Sequence, residues 1–100
     1  MINIKTQNQF DEYIHHDRVL VFFSAEWNNP CKIMRYILEK ISNERNDYEI
    51  INVDMDRFMR IGKDYKVTGV PSYRIISNGK IMKEFEGLMS EEEFIKILDD

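Results

Sequence analysis

Apolar positions along this chain fall into two recurring patterns. Arg18 to Ser24 reads RVLVFFS and Tyr48 to Asp54 reads YEIINVD. Such continuous apolar runs suit strands covered on both faces, as parallel strands beneath helices are. Between them, Ile33, Met34, Ile37, Leu38 and Ile41 recur at helical spacing, which predicts a helix from Pro30 to about Asn46. Upstream, Ile2 to Ile4 reads as a short strand. TQNQ, Thr6 to Gln9, fits a capping box that starts a helix to about His15, with Phe10, Tyr13 and Ile14 inward.

Downstream, a short helix is predicted from about Arg57 to Tyr65, packing Phe58, Ile61 and Tyr65. Pro71 to Ser77 and Lys80 to Glu86 flank Asn78-Gly79, a strong sequence signal for a tight β-hairpin. SEEEFIKIL opens with a Ser90 cap answered by Glu93 and buries Phe94, Ile97 and Leu98. The order is β-α-β-α-β-α-β-β-α. Strands alternating with helices imply parallel pairing through right-handed crossovers, and the closing hairpin adds antiparallel strands. The expected architecture is therefore α/β: one domain over residues 1–100, with helices on both faces of a central mixed sheet.

Composition narrows the partners. One hundred residues suffice for one core and not two. A net charge of -4 with no basic block argues against nucleic acid. No run approaches the ~18 apolar residues of a membrane span, and the polar start MINIKTQNQF has no leader pattern. A cytoplasmic monomer is expected. A lone cysteine cannot close an intramolecular disulfide, and Cys31 with the adjacent His15 and His16 lacks metal-ligand spacing, so neither metal nor cofactor is expected. The histidines read as residues of a helix end, and the six methionines as scattered core fillers.

The chemistry concentrates in AEWNNPCK and VTGVPS. Together with the element order, these motifs resemble the thioredoxin family over essentially the whole chain, which implies the thioredoxin fold. The family pattern W-C-G-P-C-K is matched by Trp27, Asn28, Asn29, Pro30, Cys31 and Lys32. The resemblance also implies a cis-proline at Pro71 opposite that site, and Gly87 as the glycine beside which substrate backbone passes.

The departures bear on function. The family's nucleophilic cysteine falls on Asn28, and Cys31 matches the resolving cysteine. Its buried acid falls on Phe22, the lysine associated with that acid on Ile50, and its helix-bending proline on Tyr36. An amide cannot attack a disulfide, so dithiol exchange is expected to be lost. Asn29 as N-cap and Pro30 as first helical residue give the segment a purely structural account, with Asn28 left solvated. Cys31 then reads as a small apolar filler at the helix start.

Two readings follow from different classes. In the first, Trp27, Pro30, Val70, Pro71 and Gly87 line a groove for extended protein or peptide clients. In the second, Cys31 performs thiol-disulfide exchange, and an external thiol such as glutathione resolves the mixed disulfide. A third, an Asn28 introduced into a working member of the family, fits Phe22 and Ile50 less well.

Overall fold

The computed structural model describes residues 1–100. Its elements are β1 (Ile2–Asn3), α1 (Gln7–Tyr13), β2 (Val19–Ser24), α2 (Asn29–Glu44), β3 (Glu49–Asp54), α3 (Met59–Asp64), β4 (Ser72–Ser77), β5 (Lys80–Glu86) and α4 (Glu91–Asp99). The order is the expected one, with helix boundaries shifted by one or two residues in either direction, as terminal turns allow. One five-stranded sheet runs β1-β3-β2-β4-β5. β1 and β2 pair parallel to β3, and β4 pairs antiparallel to both β2 and β5.

All six residues of β2 are buried, because this central strand has a helical layer on each face. On one face Leu20, Phe22, Ile50, Tyr73 and Ile75 pack with Cys31, Met34 and Leu38 of α2 and Phe94 and Leu98 of α4. On the other, Val19, Val21, Phe23, Ile51 and Val53 pack with Phe10 of α1 and Ile61 of α3. The alternation within each strand assigns its side chains to these two cores.

Local chemistry places the connections. Thr6 caps α1 by accepting from the Gln9 N–H at 3.1 Å. Ser90 and Glu93 form a reciprocal capping box at α4, with both bonds at 3.0–3.1 Å. Asn78 and Gly79 both adopt positive φ, 51° and 82°, as the hairpin turn between β4 and β5 requires. Their N–H groups donate to His16 and Ile14 carbonyls, which docks the hairpin tip on the end of α1. His16 itself meets Glu49 of β3 at 2.8 Å.

The methionines correct one expectation. Only Met34 is a core residue; Met59 and Met82 are exposed. Methionine tolerates either setting, so its presence in a sequence marks burial poorly.

Candidate functional site

The loop after β2 and the first turn of α2 carry Trp27, Asn28, Pro30 and Cys31. The helix starts one residue earlier than expected, and the capping residue is corrected accordingly. Asn28 has extended backbone (φ −89°, ψ 121°), and its side-chain oxygen accepts from the Cys31 N–H at 2.9 Å. Asn29 is the first helical residue rather than the cap, and Pro30 is the second. Pro30 has no N–H to offer, so the cap bond falls on the third helical residue, which is Cys31. Asn28 is thus half-buried rather than free in solvent, and its side chain starts the helix.

Cys31 is 0% exposed and belongs to the α2-side core. Burial pushes its thiol pKa up, and a backbone hydrogen bond from Ala25 and the charge of Arg35 oppose this without reversing it. The thiol is therefore neutral near pH 7 and lacks access to a reagent, whereas exchange requires an accessible thiolate. Phe22 is also fully buried and stacks on Tyr73 with centroids 5.6 Å apart. Tyr73 stacks on Phe85 at 4.9 Å and meets Phe94 edge-on at 5.0 Å. An aromatic cluster fills the ground beneath Cys31, and Ile50 closes it without a charge.

Opposite this core lies the loop ending in a cis Val70-Pro71 peptide. Pro71 is buried and its carbonyl accepts from the Gly87 N–H at 3.0 Å. Gly87 has φ 100°, a conformation that L side chains rarely adopt, and its carbonyl accepts from the Tyr73 hydroxyl at 3.0 Å. A β-carbon at this position would meet nothing within 4 Å beyond its chain neighbours. Val70 packs partly against the core that contains Cys31. Its N–H and C=O find no hydrogen-bond partner within the chain. Arg74 ties the base of this loop together by donating to the Tyr65 and Tyr73 carbonyls at 3.0 and 2.8 Å.

Trp27 is 68% exposed, and its indole Nε1–H donates to Asp56 at 2.9 Å, which fixes the ring at the rim. Other apolar side chains are also exposed: Tyr36 (75%) and Ile33 on α2, and Leu88 (56%) next to Gly87 after β5. Asp56, which holds the Trp27 ring, was not anticipated from the sequence. The outward position of Tyr36 was available in principle, since it lies off the buried stripe of α2. The four clefts of the molecule lie elsewhere, so a ligand at Val70 meets a shallow surface. No group of three or more His, Cys, Asp or Glu side chains converges as a metal site requires. No helix is long and apolar enough to cross a membrane.

The Thioredoxin family model matches residues 1–100 of the chain. The chain belongs to the thioredoxin family. It is 32% identical over 87 residues to Thioredoxin-3 of Dictyostelium discoideum, covering 87% of this chain and 84% of that protein. It is 31% identical over 98 residues to the thioredoxin of Chlamydia trachomatis, covering 98% and 96%. Among solved structures, a mutant thioredoxin from Halobacterium salinarum superimposes with a TM-score of 0.90 at 25% identity, covering 98% of this chain and 87% of that one.

In the resemblance to the family pattern, Asn28 falls on the position of the first cysteine. With Cys31 as the only cysteine, the chain cannot form the dithiol pair. The cap geometry gives Asn28 a structural task at that position. α2 runs unbroken for 16 residues.

Proposed function

We propose that this thioredoxin-family chain is a peptide- or protein-binding module that has given up dithiol exchange. The observation that carries the reading is the free backbone N–H and C=O of Val70 beside the cis Val70-Pro71 bond. An extended client can add as a short strand there, using main-chain hydrogen bonds for affinity. Trp27 and Leu88 offer exposed apolar contact on the flanks, and the open space at Gly87 lets the client backbone approach. Aromatic anchors of this kind dominate interface energetics. The alternative, exchange at Cys31 with an external thiol, first requires the helix start to open, because the sulfur is buried in the core.

The test is titration of isotope-labelled chain with unrelated extended peptides, including reduced and alkylated insulin B chain, followed by amide chemical shifts. Saturable shifts centred on Trp27, Val70 and Gly87 are expected. Trp27→Ala should weaken the binding at least about tenfold, equivalent to ~1.4 kcal/mol. Shifts scattered over the surface, or unchanged by Trp27→Ala, would count against the groove.

A further inference from the structure

On the α2 side of the sheet, the side-chain layers turn from apolar to polar toward the carboxyl ends of the parallel strands. Leu20 registers with Ile50, then Phe22 with Asn52, then Ser24 with Asp54. Ser24 and Asn52 are buried, and the Ser24 hydroxyl donates to Asn52 at 2.6 Å. Asn52 in turn donates to Asn3 of β1 at 3.1 Å. Arg35, from the second turn of α2, donates to the Ser24 oxygen at 3.1 Å. Buried polar groups are costly unless bonded, and this relay satisfies them as a fixed floor.

Above that floor opens a cleft of about 580 Å³, the largest in the molecule. It lies beyond the carboxyl ends of β3 and β2, whose following helices, α3 and α2, pack on opposite faces of the sheet. Ligands of open α/β sheets bind at such a switch point. Lys32, Arg35 and Arg57 all line it, although the protein as a whole carries a charge of -4. None of the three takes part in an ion pair, even though Glu26 and Asp54 border the same cleft.

We propose that this cleft binds a small phosphate monoester with a hydroxyl-bearing body, of the sugar-phosphate class. Three cations held apart from the carboxylates match a phosphate, which carries about −1.5 to −2 charge and three acceptor oxygens. Guanidinium forks give such oxygens directional donors. The volume exceeds what a phosphate alone fills and lies within the range of small-molecule sites. Glu26 and Asp54 then accept hydroxyl groups of the body. The cleft shares no lining residue with the groove at Trp27, Val70, Pro71 and Gly87, so the proposal stands independently of peptide binding.

Titration with ribose 5-phosphate, inorganic phosphate and ribose, followed by the side-chain signals of Asn3, Asn52 and Arg35, tests it. Ribose 5-phosphate should give saturable shifts, with inorganic phosphate at least about tenfold weaker and ribose inert. Lys32→Gln, on an exposed side chain that leaves the floor intact, and Arg35→Gln should each weaken binding at least about tenfold. Lys63→Gln on α3 should leave it unchanged. Shifts that fail to saturate, or that persist in Lys32→Gln and Arg35→Gln, would overturn the site. Equal affinity for inorganic phosphate would overturn the assigned ligand class.

Discussion

Phe22→Asp, which restores the family's acid, is expected to cost this protein most of its stability. Phe22 is fully buried among Leu20, Cys31 and Tyr73, and stacks on the Tyr73 ring. Removing the ring alone, as in Phe22→Ala, should cost about 3–5 kcal/mol through lost contacts and the cavity left behind. The aspartate adds the expense of a carboxylate with no partner, because the buried residues of that core, Ile50 included, carry no cation. A domain of this size has only about 5–15 kcal/mol to lose.

The pH dependence has a definite sign. An apolar pocket raises the introduced carboxyl's pKa above its unfolded value, so the folded state holds its proton more tightly. The stability of Phe22→Asp should therefore be highest at low pH and fall as pH rises above the ordinary carboxylate range. Urea unfolding of both variants at about pH 5 and about pH 8 reads this directly, with the gap between Asp and Ala widening at the higher value. Equal stability of the two variants at about pH 8 would mean that the ground beneath Cys31 is wet, contrary to the packing described.

Asn28→Cys is the second large effect, and it acts on activity. In the family pattern the two cysteines fall on Asn28 and Cys31. The helix start brings these positions within the about 4.4–6.8 Å between α-carbons that a disulfide spans. The new thiol stands at a helix start, where the positive end of the dipole favours a thiolate. It can attack a client disulfide to give a mixed disulfide and release one client thiol. Cys31 then displaces the second client thiol and closes the intramolecular bridge, which an external dithiol reduces.

Asn28→Cys should therefore catalyse insulin reduction by dithiothreitol at least about tenfold over the parent chain, which should not exceed the uncatalysed rate. The gain comes with a loss of about 1 kcal/mol of stability, since the Asn28 cap bond to the Cys31 N–H disappears. A variant that stays fully reduced under mild oxidant would show that these positions do not face each other.

Much of this was legible in the sequence because it rests on local chemistry. The apolar runs of β2 and β3, the Ser90–Glu93 capping box and the Asn78-Gly79 turn each act within a few residues. The setting of Cys31 was not legible, because a helix start favours an accessible thiolate while packing shields it, and only the fold places it among the buried residues of α2. What was missed depends on contacts distant in sequence, or on choices between near-equals. Asn28 and Asn29 are equally good caps by type, and the backbone entry into α2 selects the first. The bond from Trp27 to Asp56 spans 29 positions, and no periodicity announces it. Ser24 and Asn52 were the visible clue to the polar cleft, being hydrogen-bonding residues inside otherwise apolar strands.

On the function proposed above, Cys31 is a structural residue and dithiol exchange is lost. The reactivity of that one thiol toward a chromogenic disulfide reagent tests it most directly, measured in native buffer and again after unfolding. Cys31 should remain unreacted in the native protein, through both its burial and its raised pKa, and react stoichiometrically once unfolded. Prompt stoichiometric reaction in native buffer at neutral pH would contradict the account.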